Sequence, residues 1–261
     1  MEHRTERIPK YRRFSIDAGR LARGKNIVHG LLEVDVTVAR QLMESYEGQT
    51  GEKPSFTAYV VNCLGEAIKS DDHLHAYLDW RRRLVIYEDV NIGTMIEIER
   101  DGSRVPMPYV FTNVNQKDYL AIHQEMRAAQ RKPLDTQAGK STPMLLAVPW
   151  LVRRVLYWWI NRVPGRFRTY SSPVLVTAVG MFGNGSAWGL PNSSNTLTVT
   201  LGGIALKPAV IEGEIIAREF LNMTISVNHD IVDGAPIARF VSNLATLIET
   251  GYGLDSLNQE P

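Results

Sequence analysis

The chain has 261 residues, 44% hydrophobic and 22% charged, a composition that excludes a disordered chain and suffices for one large domain or two small ones. With 29 basic and 28 acidic side chains the net charge is +1, so nothing in the whole-molecule charge points to nucleic acid, and no nucleic-acid partner is expected. A single cysteine excludes an intrachain disulfide and a cysteine metal cluster, and no metal site is expected.

In chain order, residues 1–25 form a basic N-terminal arm. Arg4, Arg7, Lys10, Arg12, Arg13, Arg20, Arg23 and Lys25 outnumber its acids, which reads as a solvated extension along the surface. Met1-Glu2-His3-Arg4 lacks the apolar core of a signal peptide, and no run of 18 uncharged apolar residues follows anywhere, so a cytoplasmic location is expected. Leu32, Val34, Val36 and Val38 alternate with polar neighbours, predicting a strand over 26–38 that passes into a helix over 37–47. Ser55 to Ser70 predicts a helix with Ser55 as N-cap, and Cys63 within it reads as a buried structural thiol. Leu84–Tyr87 and Val90–Glu99 read as strands. Asp101-Gly102 then turns the chain into a further strand over Val105–Thr112. Tyr119, Leu120, Ile122, His123 and Met126 make one apolar stripe on a helix over 116–129.

The stretch 132–172 differs in character, being punctuated by Pro133, Pro143, Pro149 and Pro164. Between them, Met144–Val163 is dense in Leu, Val and Trp but contains Arg153 and Arg154. That pattern fits a core helix, an oligomer contact or a helix lying on a membrane surface. Strands resume at Val174–Val179 and Leu197–Ile204, separated by a glycine-rich loop over 180–191. Residues 209–212 and 214–227 read as a hairpin turning at Gly213. A last helix over 235–250 is closed by Gly251 and Gly253. Strands and helices mix without regular βαβ alternation, so the expected class is α+β with a mixed or antiparallel sheet.

The run His229-Asp230-Ile231-Val232-Asp233-Gly234 lies where a strand ends and the last helix begins. Imidazole is the usual side chain for moving a proton near neutral pH, and a histidine before a tight turn stands at a sheet edge. A lone histidine there is more often structural. Asp233 stands where a helix N-cap belongs, and Gly234 fits a need for close packing.

The segment Asn222 to Ala235 resembles the active-site motif of the catalytic domain of 2-oxoacid dehydrogenase dihydrolipoamide acyltransferases. Its His-x-x-x-Asp-Gly pattern is shared with chloramphenicol acetyltransferases. Val90-Asn91-Ile92-Gly93, Asp101-Gly102 through Val105-Pro106, Glu33 to Thr37, and Val176 to Pro208 extend the resemblance over most of the chain. It implies a chloramphenicol acetyltransferase-like mixed sheet flanked by helices, three copies forming a trimer, and an active-site channel between subunits. The catalytic domain is then 26–261, with an insertion at about 132–172.

In chemistry, the resemblance implies transfer of a short acyl group from a coenzyme A thioester to a thiol, hydroxyl or amine acceptor, without a covalent acyl-enzyme. His229 would be the base and Thr177 the hydroxyl that bonds the tetrahedral oxyanion. Asp233 and Gly234 would shape the histidine loop, with Asp233 pairing to Arg12 or Arg13, of which Arg13 is taken. The coenzyme-binding residues remain unassigned.

Several departures narrow the reading. No lipoyl domain precedes the core, so a lipoyl group would have to be supplied by another chain. Asn228-His229-Asp230 stands where such enzymes usually read Asp-His-Arg, and Ser193-Ser194 where they have Pro-Pro. The insertion with Trp150, Trp158 and Trp159 has no counterpart, and it is a candidate for covering the channel, binding a hydrophobic acceptor or touching a membrane. Two other readings stand beside a free-standing acyltransferase with a small-molecule acceptor: a dehydrogenase-complex core using a lipoyl domain in trans, and a non-catalytic trimeric scaffold.

Overall fold

The structure is a computed structural model, and it describes residues 3–6, 8, 12–100, 103–131, 148–162, 172–179 and 186–258. The expected turn at Asp101-Gly102, residues 132–147 and 163–171 of the insertion, and residues 180–185 of the glycine-rich loop lie outside these.

Six strands form one mixed sheet: β1 (Ile27–Asp35), β4 (Ile92–Arg100), β5 (Ser103–Phe111), β6 (Val174–Ala178), β7 (Leu197–Ile211) and β8 (Glu214–Asn228), in the order β1-β8-β7-β6-β4-β5. A two-stranded ribbon of β2 (Tyr77–Leu78) and β3 (Leu84–Val85) stands apart from it. The contacts of β6 with β4 and with β7 are parallel, and the remaining pairs are antiparallel. The helices are α1 (Arg12–Ala22), α2 (Thr37–Thr50), α3 (Phe56–Ala67), α4 (Tyr119–Arg131), α5 (Trp150–Arg162) and α6 (Gly234–Glu249). Among the described residues no helix is long and apolar enough to cross a membrane.

Strand alternation gives the sheet two unlike faces. Val174, Val176, Leu197, Val199, Leu221, Met223, Ile225 and Val227 are buried on the face that joins the helical core. Residues of the opposite parity on β7 and β8, Thr198, Thr200, Asn222, Thr224 and Ser226, are polar and yet also buried. Segment 186–195 lies against them: Asn222 Nδ2 donates to Ser186 Oγ at 2.7 Å, and Gly203 N–H donates to the Ala187 carbonyl at 3.0 Å. Gly202 makes this approach possible, since a Cβ there would sit 2.2 Å from the Ala187 carbonyl oxygen.

Helix α3 is the centre of the core. Ser55 caps it as predicted, its Oγ accepting from Ala58 N–H at 3.2 Å, a bond of about 1 kcal/mol. Tyr59, fully buried, donates its hydroxyl to the Ile248 carbonyl at 2.7 Å and so ties α3 to the end of α6. Cys63 is buried here too, and burial pushes its thiol up to about 12.

Two expectations change. Residues 197–211 are one continuous strand rather than two separated at 205–208, with a register irregularity between Leu201 and Ile204. Pro208 is accommodated because β6 ends opposite Leu201, which leaves the far half of β7 an edge. That half and its partner form a projecting hairpin, turned by Glu212 (φ 51°) and Gly213 (φ 88°), with Leu206, Val210 and Ile215 exposed. The basic arm is also no plain extension. Residues 12–22 form α1, whose Asp17 is buried against Arg153 of α5, with Nε to Oδ2 at 2.7 Å. Sequence alone predicts no partner for Asp17, because Arg153 lies in the insertion.

Candidate active site

His229 follows the last residue of β8 and is exposed, while its backbone is fixed from several directions. Its N–H donates to the Asn26 carbonyl at 2.7 Å. Asn228 N–H donates to the Thr196 carbonyl at 2.8 Å, which fastens the strand end to the start of β7. The Asn228 carbonyl accepts from Ile231 and Val232, and its side chain accepts from Asp230 N–H at 3.2 Å, forming the turn. Val232 anchors the turn in the core. The imidazole itself makes no side-chain hydrogen bond among the described residues, so a well-positioned histidine presents an uncommitted base.

Asp230 is held by Asn26, whose Nδ2 donates to its carboxylate at 2.7 Å. Lys25 lies beside it, donating Nζ to the Ser194 carbonyl. Burial lowers the Lys25 pKa, with the Asp230 carboxylate opposing that shift. The sequence reading missed Lys25 and Asn26 as supports of the histidine. Their only signal was their place at the end of a basic arm just ahead of the first strand.

Asp233 occupies the N-cap position of α6 in extended backbone (φ −81°, ψ 167°), yet its side chain makes no capping bond. It is exposed, and an ion pair with Arg13 is not formed among the described residues. Capping therefore does not account for the residue. Packing does not account for Gly234 either, because a Cβ there would meet nothing within 4 Å.

Thr177 lies in β6, half-buried, on the polar face of the sheet. Strand register sets it beside Thr200, which pairs with Thr224. The hydroxyls of Thr200 and Thr224, with Asn222 Oδ1, are buried without a hydrogen-bond partner among the described residues, a row of polar groups that sequence reasoning did not single out. Alternation along β7 and β8 signals a polar face; its burial under segment 186–195 carries no local signal.

The register also measures how far apart the two candidates are. From Thr224 to His229 the chain advances five residues, about 17 Å at roughly 3.3 Å each, and two strand spacings add about 10 Å sideways. Roughly 19 Å thus separates Thr177 from His229 in one chain, more than two side chains span. A cleft of about 270 Å³ lined by Asn62, Glu66, Lys69 and Tyr252 lies elsewhere, and no residue around His229 contributes to it.

Comparison with known proteins places this geometry. The lipoamide acyltransferase component of the branched-chain alpha-keto acid dehydrogenase complex of Pseudomonas putida is 22% identical over 83% of this chain and 45% of its own length. The chain thus spans about half the length of the curated relatives it matches. A probable dihydrolipoamide acetyltransferase of Listeria monocytogenes has the same fold, with a TM-score of 0.69, 16% identity and 95% of each chain covered. So does the dihydrolipoamide acetyltransferase of Azotobacter vinelandii, at TM-score 0.69 and 15% identity over 96% of this chain and 94% of its own. The latter structure was solved to test the role of a serine, a histidine and an asparagine in the catalytic mechanism. The model of the 2-oxoacid dehydrogenases acyltransferase (catalytic domain) family matches residues 6–142 and 171–254, and the chain belongs to that family.

Proposed function

We propose that this protein moves a short acyl group from a coenzyme A thioester to a thiol, hydroxyl or amine acceptor, using His229 as base and Thr177 as oxyanion donor. The observation that carries the reading is His229 itself, rigid in its backbone and unbonded at its imidazole, in a chain of this family. The serine, histidine and asparagine tested in the Azotobacter vinelandii enzyme are spaced along that chain as Thr177, His229 and Asp233 are along this one, which supports the same roles here.

The imidazole takes the acceptor's proton as the acceptor attacks the thioester carbonyl. The tetrahedral oxyanion receives the Thr177 hydroxyl hydrogen bond. Collapse expels coenzyme A as thiolate, and the imidazolium returns the proton to it. The base contributes about 10²–10⁴ in rate and the oxyanion donor about 10²–10³. The separation of about 19 Å within one chain fits a site shared between copies of a homotrimer, His229 of one copy meeting Thr177 of the next. The exposed apolar side chains of the β7–β8 hairpin fit a surface that such an assembly buries. Arg13, Asp233 and Gly234 would support the histidine turn, and the catalytic domain is 26–261 with the insertion at about 132–172. A cytoplasmic location accords with a coenzyme A substrate.

Asp230 sets a carboxylate beside the base and is held there by Asn26, which favours an acceptor other than one selected by a cation at that position. Family membership favours a second acceptor, a dihydrolipoyl group carried by another chain. Thiol release from acetyl-, propionyl- and succinyl-coenzyme A, with wild type and His229→Ala, each with and without dihydrolipoamide, tests the reading. Release that needs His229 and rises with dihydrolipoamide supports the lipoyl acceptor. Release that needs His229 but ignores dihydrolipoamide supports another acceptor. Absence of His229-dependent release with every donor would favour the non-catalytic scaffold.

A further inference from the structure

Helix α5 lies in the stretch that the family model leaves unmatched, between residues 142 and 171. One inward position is charged: Arg153 is 4% exposed and bonded to Asp17 of α1 and to the Val148 carbonyl, among the less exposed Leu156, Tyr157 and Ile160. At about 100° per residue, Leu151, Val152, Val155, Trp158 and Trp159 cluster on the side opposite Arg153. Their exposures are 67%, 51%, 62%, 53% and 44%, so the apolar face of this helix points to solvent. The helix is thus apolar on both sides, and only one of those sides is covered by the fold.

Arg154 borders the apolar face and Arg162 closes its C-terminal end. The Arg162 guanidinium lies over the rings of Trp158 (4.0 Å) and Trp80 (4.3 Å), and Arg81 also lies over Trp80 (4.7 Å), which is half-exposed. No Asp or Glu occurs from Thr136 to Ile211, while Lys140, Arg153, Arg154, Arg162, Arg166, Arg168 and Lys207 do, in a chain whose net charge is only +1. Among the described residues Arg81, Arg154 and Arg162 are exposed cations at this face, which therefore calls for an apolar partner bearing negative charge. A second copy of the same face would set arginine against arginine. Thirteen residues with three arginines cannot span a bilayer but suit one lying in its interface, indoles at headgroup depth and guanidinium groups on anionic lipid.

We propose that the outer face of α5, extended by Trp80, docks this protein on an anionic lipid bilayer. The docking stands independently of acyl transfer, although the face is tied to the sheet end that carries His229. Thr196 Oγ1 donates to the Ala76 carbonyl at 2.6 Å, just ahead of the ribbon that bears Trp80, and the Thr196 carbonyl accepts from Asn228 N–H.

The test is co-sedimentation with vesicles of phosphatidylcholine alone and with about one-third phosphatidylglycerol, at low and high salt. The comparison includes the double variant Leu151→Glu/Val155→Glu and the milder Trp158→Ala/Trp159→Ala. Wild type should partition onto the anionic vesicles at least tenfold better than onto the neutral ones, less so at high salt where charges are screened. Both variants should lose about tenfold or more of that binding while keeping the wild-type circular dichroism and sedimentation coefficient. Equal binding by the variants, or no binding to anionic vesicles, would overturn the proposal. So would a smaller assembly in the variants, which would assign the face to contacts between copies.

Discussion

If the base and the oxyanion donor come from different copies, two inactive chains should repair one another. His229→Ala removes the base, a loss of about 10²–10⁴, and Thr177→Val removes the hydroxyl while keeping the branched shape, a loss of about 10²–10³. Each parent should therefore retain about 1% of wild-type turnover or less. In a closed three-fold ring every site pairs His229 of one copy with Thr177 of its neighbour. When the two chains are unfolded together in equal amounts and refolded, about a quarter of the interfaces combine an intact His229 with an intact Thr177. The mixture should then recover roughly 25% of wild-type coenzyme A release, while the same parents mixed after assembly stay at the parental level. Differently tagged chains, recovered together by tandem affinity, establish that hybrids have formed. Hybrids no more active than their parents would refute the shared site, and with it the inference drawn from the separation along the sheet. A Thr177→Val chain as active as wild type would refute the role given to Thr177.

Four further outcomes follow from the packing. Asp17→Ala leaves the Arg153 guanidinium buried with, among the described residues, only the Val148 carbonyl as hydrogen-bond partner, so α5 should loosen at a cost of about 3 kcal/mol; hydrogen exchange over 150–162 should rise, and Arg153→Met in the same chain should restore much of the protection. Gly202→Ala forces a Cβ to within 2.2 Å of the Ala187 carbonyl oxygen and 2.8 Å of that of Asn222, and the urea midpoint should fall by the equivalent of about 1–3 kcal/mol. Burial opposes ionisation of Asp35, but bonds from Thr37 and from Arg218 (Nε to Oδ2 at 2.7 Å) outweigh it and hold its carboxyl below the usual carboxylate range. A depressed folded-state pKa stabilises above the unfolded value and ceases to do so as pH falls through the folded one; the destabilisation by Asp35→Asn, about 1 kcal/mol at pH 7, should therefore shrink in urea titrations below about pH 4. Cys63, its thiol pushed up to about 12 by burial, should resist a thiol reagent at pH 8 in the native protein and react on unfolding.

Most of the framework was legible because its signals are local. Alternation at Ile92, Ile96 and Ile98 marks β4, the Ser55 cap marks α3, and the stripe from Ile237 to Ile248 marks α6, each within a few residues of chain. The single break expected before residue 209 arose from Pro208, whose effect depends on whether β7 has a neighbour on both sides, a fact of sheet order. The same limit applies at the site. His229 shows itself through its motif, but its supports, Lys25 and Asn26, lie some 200 residues earlier and meet it only through the β1–β8 pairing of Ile27 with Asn228. Thr177 carries no periodic or compositional mark at all, and its row with Thr200 and Thr224 exists only once β6, β7 and β8 are in register.

Where the chain departs from its relatives also bears on what the departures do. The parts that hold the fold, α3 with its Tyr59 bond to α6 and the close approach at Gly202, are independent of Asp230 and of α5. Two of the expected departures, Asp230 and Ser194, meet near the end from which His229 projects: Asn26 Nδ2 donates to the Asp230 carboxylate, and Lys25 beside it donates to the Ser194 carbonyl. A chain drifting toward a scaffold would lose its imidazole geometry as readily as its surroundings, since packing needs neither. Here the histidine turn is fixed by backbone bonds to Asn26 and Thr196, which do not depend on the side chain at 230. An altered neighbour beside a fixed histidine is the pattern that the proposed change of acceptor requires.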